Sequence, residues 1–166
     1  MDLKFFQAAN IPEERIHTLR DDNVETFDQA IQRAGGMDMV IMGIGTDGHF
    51  CGNHPGTFDD WKQGCHSIDR YCTPQVNELL EFLLKDDIHS DDVSRIPDHY
   101  LTMGPKTIMD AKHIVMIFSG EGKAETVRRA FFEPITMDFP VSIFQLHPHV
   151  RVLLDEAAAA KIRQFI

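Results

Sequence analysis

The stretch that decides the fold is Met39-Val40-Ile41-Met42-Gly43-Ile44-Gly45-Thr46-Asp47-Gly48-His49, an apolar run followed by glycines, an acid and a histidine. A short apolar run bounded by glycines predicts a buried parallel strand. In open α/β sheets, ligands and catalytic groups lie just beyond the carboxyl ends of the strands. The stretch therefore predicts an α/β fold with chemistry at Asp47 and His49.

The three glycines of this turn have separate expected roles. Gly43 and Gly45 allow a sharp turn and the close approach of a ligand, and Gly48 allows a positive φ between the two functional side chains. Their spacing differs from the dinucleotide-binding pattern, because no third glycine opens a helix at the required offset. We therefore expect the glycines to border a substrate and expect no cofactor.

Asp47 and His49 have the properties of a proton-transfer pair. Histidine titrates near neutral pH, and a neighbouring carboxylate fixes its tautomer and raises its basicity. The alternative is a strand-end turn in which Asp47 caps a helix and His49 is simply exposed. The glycines around the pair favour the functional interpretation.

Elsewhere, periodicity predicts alternating strands and helices. Further strands are expected at 67–71, 113–118 and 150–154, helices at 24–34, 76–84, 123–132 and 156–165, and a turn followed by a helix at 102–112. This alternation predicts an open, Rossmann-like parallel sheet with helices on both faces and right-handed crossovers. The ends of the two long apolar strands then lie side by side, which brings Asp47, His49 and Lys123 towards one crevice.

Composition narrows the class of protein. With 166 residues, 43% of them hydrophobic and 25% charged, the chain is expected to form a single globular domain over residues 1–166. No apolar stretch is long enough to cross a bilayer, so we expect a cytoplasmic protein without a membrane partner. A formal net charge of −10 disfavours nucleic acid. Three cysteines without paired spacing indicate reduced thiols.

The glycine turn, followed by Asn53-His54-Pro55-Gly56, resembles the signature of the glucosamine-6-phosphate deaminase/isomerase family. That family has a Gly-x-Gly-x-Asp-Gly-His turn and an Asn-Glu-Pro-Gly a few residues later. Segments 100–104, 107–111, 117–124 and 142–147 resemble later family blocks in the same order. The related 6-phosphogluconolactonase family shares the Asp-Gly-His turn but matches less well at 102–104 and 145–147, so it is the alternative enzyme class.

The resemblance implies roles for individual residues. His49 matches the histidine that assists opening of the pyranose ring, and Asp47 matches the acid beside it. Lys123 matches the lysine that holds the sugar phosphate; without the resemblance it would be a solvated lysine in the first turn of a helix. The implied reaction converts a hexosamine 6-phosphate to a ketohexose 6-phosphate and releases ammonia.

One departure from the family pattern affects the chemistry. His54 stands where the deaminases have Glu, so a group that is neutral or positive replaces a carboxylate. Because a second imidazolium disfavours the first, His49 should be less basic beside His54 than beside Glu. We therefore expect His54 to belong to the catalytic group and to alter ring opening or substrate choice.

A second departure is at the start of the chain. The family's Gly/Thr-rich phosphate loop, and the Asp-Glu that supplies the base for proton transfer between C1 and C2, have no counterpart before Met39. Residues 2–6 resemble a helix midway through the family fold, so the chain resembles the C-terminal portion of that fold. A non-catalytic sugar-phosphate-binding protein is therefore a further hypothesis, and an uncovered sheet predicts a homo-oligomer.

Nine histidines raise the question of a metal site. The spacing of His49 and His54 is not that of a helical histidine pair, and no Cys-x-x-Cys or His-Glu-x-x-His is present. We therefore predict no metal site. His147 is expected to be a structural histidine near a strand.

Overall fold

The computed structural model describes residues 5–86 and 88–165. Their strands are β1 (Met39–Gly43), β2 (His66–Asp69), β3 (His99–Thr102), β4 (His113–Phe118) and β5 (Val150–Leu154). The α-helices are α1 (Phe27–Arg33), α2 (Pro74–Asp86), α3 (Pro105–Met109) and α4 (Ala124–Phe132). Short 3-10 helices lie at Glu13–Arg15, Val93–Arg95, Glu121–Lys123 and Pro140–Leu146.

A parallel three-stranded sheet in the order β1-β4-β5 forms the centre of the fold, as the alternation of elements predicts. Met39 pairs with His113 and Gly43 with Ile117, so β1 and β4 end at the same level. The adjacent carboxyl ends of β1 and β4 confirm the predicted juxtaposition of the glycine turn and the Ser119-Gly120 turn. β2 and β3 form a separate antiparallel pair.

One face of the parallel sheet carries the core. Alternate strand residues, including Val40, Ile114 and Met116, are buried among side chains of α3, α4 and the segments at 140–146 and 158–162. The opposite face carries apolar side chains that are exposed: Met39, Ile41, Ile117 and Leu153. Within the described residues, the prediction of a buried strand therefore holds for one face of β1 only.

One expectation is confirmed in part and another is wrong. A turn and a helix are present within 102–112, but Thr102 belongs to β3 and the helix spans only Pro105–Met109. Residues 156–165 form consecutive turns instead of a helix. Backbone bonds there include Ile162 N to Ala159 O, an i to i+3 spacing, and the turns bury Ala158 and Ile162 against the core.

The remaining expectations concern the chain start and the membrane. Of the predicted helical stretch at 2–6, residues 2–4 lie outside the described residues. None of the helices in the described ranges combines the length and apolar character needed to cross a bilayer.

Candidate active site

The glycine turn directly follows β1 and is tightly closed. Gly45 N donates to His49 O at 2.9 Å, and Gly48 N donates to Gly45 O at 3.1 Å. Gly48 has a φ of 84°, as predicted for the residue between the acid and the histidine. A Cβ at Gly48 would also lie 2.7 Å from the Phe139 ring, so both conformation and space exclude a side chain there.

The turn places the carboxylate of Asp47 between two imidazoles. Its Oδ1 lies 2.6 Å from Nδ1 of His49, and its Oδ2 lies 3.2 Å from Nδ1 of His54. The two rings have centroids 4.0 Å apart and are tilted by 35°. The structure thus brings Asp47, His49 and His54 together, although only the resemblance pointed to His54.

The protonation of this group follows from its contacts. Burial opposes ionisation of Asp47, but hydrogen bonds from His49 and His54 outweigh it and hold the pKa of the carboxyl well below its usual range. An ionised carboxylate can only accept, so Nδ1 of each ring carries the hydrogen. The Nε2 atom of each neutral ring therefore keeps a lone pair that can take a proton.

Gly45 makes room for this arrangement. A Cβ on Gly45 would lie 2.1 Å from Nδ1 of His49 and 2.6 Å from Oδ1 of Asp47. No real Cβ approaches so closely, so any side chain would displace the acid or the ring. Gly43 differs, since a Cβ there would meet nothing within 4 Å. Lack of space therefore requires glycine at position 45 but not at position 43.

Lys123 follows the end of β4, and its side chain lies against the glycine turn. It ends the 3-10 turn that leads into α4, and its Nζ donates to the carbonyl of Ile44 in the glycine turn. An open cleft of about 580 Å³ is lined by Gly43, Gly45, His49, Cys51 and Lys123, with apolar residues between them. The imidazole and the ammonium therefore share one cleft.

The segment after the turn is fixed by residues to which the sequence assigned no role of their own. Asn53 is fully buried and its Nδ2 donates to the carbonyls of Phe50 and Met103. Gly52 N donates to Thr102 Oγ1, and the hydroxyl of Tyr100 donates to Gly52 O. β3 thus holds the loop that presents His54. Thr102 and Met103 lie about fifty residues after Gly52 and Asn53 in the chain, so no local sequence pattern indicates these contacts.

Two other residues near strand ends have no reactive character. Desolvation raises the pKa of the Cys51 thiol to about 11, so it is not a thiolate at neutral pH. His147 is buried and its Nε2 lies 2.8 Å from the carbonyl of Ala111, while its Nδ1 accepts from His149 N. The structure thus agrees with a structural role for His147.

Comparison with known proteins adds a second line of evidence. No protein-family model matches the chain. It is 39% identical to the glucosamine-6-phosphate deaminase of Beutenbergia cavernae over 139 residues, which are 82% of this chain and 49% of that protein. It is 41% identical to the Rhodococcus opacus protein of the same name over 138 residues, 82% of this chain and 49% of that one. The chain thus spans about half the length of the curated relatives it matches.

Solved structures show the same relationship. A monomeric glucosamine-6-phosphate deaminase superposes with a TM-score of 0.69 at 31% identity, covering 90% of this chain and 58% of that one. A 6-phosphogluconolactonase from Trypanosoma cruzi superposes with a TM-score of 0.62 at 18% identity, covering 95% of this chain and 64% of that one. The second likeness concerns the fold alone.

Proposed function

Because this chain is homologous to the glucosamine-6-phosphate deaminases over about half of their length, we propose that it binds an amino-sugar 6-phosphate and catalyses opening of the sugar ring. The observation that carries the proposal is the shared cleft of His49 and Lys123. A proton-transfer group and a phosphate-binding cation on one cleft suit a phosphorylated sugar.

In this proposal, His49 moves the proton that ring opening requires. Its Nε2 takes the hydrogen of the C1 hydroxyl and returns it to the ring oxygen as the bond between C1 and that oxygen breaks. Asp47 holds Nδ1 of His49 and stabilises the transient imidazolium. The positive charge therefore forms beside a fixed carboxylate.

Lys123 anchors the phosphate. Its ammonium gives one hydrogen to the carbonyl of Ile44 and keeps two for a ligand. Gly43 and Gly45 border the cleft and let the sugar approach the backbone. The phosphate contact sets the distance between the sugar's C6 end and His49.

His54 modulates the basicity of His49. The two rings share one carboxylate and lie 4.0 Å apart, so protonation of one disfavours protonation of the other. His49 is therefore a weaker base than it would be beside a carboxylate at position 54.

A specific observation favours a second candidate, a sugar-phosphate-binding protein without turnover. Among the described residues that line the cleft, none is a carboxylate that could move a proton between C1 and C2. Release of ammonia then requires groups other than these, or does not occur. A third candidate is a hydrolase of the 6-phosphogluconolactonase kind, which would act on a sugar lactone phosphate.

Three measurements separate the candidates. Calorimetry with glucosamine 6-phosphate and with unphosphorylated glucosamine tests phosphate-dependent binding. A coupled ammonia assay and a 6-phosphogluconolactone hydrolysis assay then test turnover. Phosphate-dependent binding with ammonia release supports the deaminase, and binding alone supports the second candidate. Absence of binding to any sugar phosphate contradicts both.

A further inference from the structure

We propose that Asp47, His49 and His54 also form a binding site for a divalent transition-metal ion of the zinc class. Each residue offers one ligand atom, and the three atoms lie within 4.8 Å of one another. The linear spacing of the histidines gave no such indication, because they meet through a turn and a loop instead of a helix.

The distances suit a tetrahedral site after a small adjustment. Zinc bonds of 2.0–2.1 Å to nitrogen and oxygen place neighbouring ligand atoms about 3.3 Å apart. Oδ2 of Asp47 lies 3.2 Å from Nδ1 of His54, which already matches, whereas Nδ1 of His49 contacts the other oxygen, Oδ1, at 2.6 Å, so the carboxylate must turn until one oxygen faces both rings. The Asp47 side chain is 42% exposed, so a rotation of its carboxylate can supply the change.

The ligand types define the class of ion. Two imidazoles with one carboxylate suit Zn²⁺, Fe²⁺, Co²⁺ or Ni²⁺, whereas Mg²⁺ and Ca²⁺ prefer oxygen ligands throughout. His49 lines the open cleft and the Asp47 side chain is partly exposed, so an ion can reach the three ligands from solvent. Three protein ligands with one open position are typical of accessible zinc sites.

The surroundings support the ligands. His49 N donates to Oδ1 of Asp47 at 3.2 Å, and buried Asn53 fixes the backbone beside His54. Such supporting hydrogen bonds orient ligand groups in metal sites. To bind the ion, Nδ1 of each ring must lose the hydrogen that it shares with Asp47. That hydrogen moves to Nε2 of the same ring, so each ring stays neutral and ion binding neither takes up nor releases a proton.

This inference does not depend on the sugar chemistry, because it concerns binding of the ion alone. The experiment uses protein dialysed against a chelator and then titrated with Zn²⁺ or Mg²⁺ by calorimetry, with Co²⁺ absorption as a spectroscopic readout. Wild type is compared with His49→Gln and His54→Gln. The matched control is His149→Gln, which removes an exposed histidine outside the cluster.

We expect one Zn²⁺ per chain, the visible absorption of tetrahedral Co²⁺, and no uptake of Mg²⁺. Each cluster variant should weaken Zn²⁺ binding by at least about tenfold, and the control should not change it. Failure to bind Zn²⁺ at one per chain overturns the proposal, as does an unchanged affinity in His54→Gln or an equal loss in the control.

A second variant covers the case in which His54→Gln does not fold. His54→Glu keeps a ligating side chain but replaces nitrogen by oxygen, so Mn²⁺ should gain relative to Zn²⁺. An unchanged ratio of the two affinities places the ion elsewhere and overturns the proposal.

Discussion

Nδ1 of His54 lies 3.2 Å from Oδ2 of Asp47, the carboxylate oxygen that Nδ1 of His49 does not contact. One acid therefore orients two histidines, and both oxygens are occupied. A substitution at Asp47 therefore changes the orientation of both rings at once, whereas a substitution at His49 or His54 changes one of them.

Replacing Gly45 by Ala should disrupt the site, whereas Gly43→Ala should be tolerated. The added methyl at position 45 would lie 2.1 Å from His49 Nδ1, and that at position 43 meets nothing within 4 Å. We expect Gly45→Ala to cost about 1–3 kcal/mol of unfolding free energy and to abolish sugar-phosphate binding. Urea unfolding and calorimetry of both variants measure this, and equal effects of the two would contradict the packing argument.

Asp47→Asn should change how stability depends on pH. Hydrogen bonds from both histidines lower the pKa of Asp47 below the ordinary 3.8, so ionisation favours the folded state. This contribution is present in full above pH 3.8 and is lost as the pH falls further towards the lowered value. Because the side chain is partly exposed, we expect a difference of about 1 kcal/mol between wild type and Asp47→Asn near pH 6. Urea unfolding from pH 6 down to 2.5 should show the difference narrowing only below 3.8, and a constant difference would be the contrary result.

His49→Ala should reduce ring opening by about 10²–10⁴-fold, since it removes the group that transfers the proton. His54→Glu should increase the rate, because a carboxylate favours protonated His49 where a second imidazole does not. The rate is measured with the ammonia assay, or by exchange of the sugar anomers if no ammonia forms. His149→Ala is the control, and full activity in His49→Ala would rule out its assigned role.

Lys123→Gln should weaken sugar-phosphate binding without affecting unphosphorylated glucosamine. A charged hydrogen bond to phosphate contributes about 1.5–3 kcal/mol, equivalent to a loss of roughly tenfold or more in affinity. Lys106→Gln, which removes an exposed lysine paired with Asp110, is the matched control. If both substitutions have the same small effect, the phosphate lies elsewhere.

The exposed apolar face of the sheet should cause this chain to self-associate. Ile41 is 65% exposed on a strand whose other face is buried, and Met39, Ile117 and Leu153 lie on the same side. We expect Ile41→Lys to shift the chain towards the monomer in light scattering after size exclusion. Val93→Lys changes another exposed apolar residue, which is 51% exposed and lies outside the sheet, and should have no effect. A wild-type monomer at high concentration would contradict this expectation.

Local sequence was sufficient to predict those strands whose residues alone form a bounded apolar run. The bounds of β4 and β5 match the predicted apolar runs, because β-branched and apolar residues there are bounded by polar residues or glycine. The helix expected at 156–165 was wrong: alanine favours a helix locally, but these residues form consecutive turns. β3 was missed because its pairing partner, β2, lies about thirty residues earlier.

By itself, the sequence determined the position of the glycine turn, its positive φ at Gly48, and the neighbouring acid and histidine, because residues two apart in a tight turn are necessarily close. The order of strands and helices also predicted that Lys123 lies towards the same crevice, but only tertiary structure decided that its ammonium reaches the carbonyl of Ile44 and that His54 shares the carboxylate of Asp47. Those contacts depend on the register of β1 against β4 and on the anchoring of Asn53 by Met103. Such long-range contacts are set by packing, which no local pattern encodes.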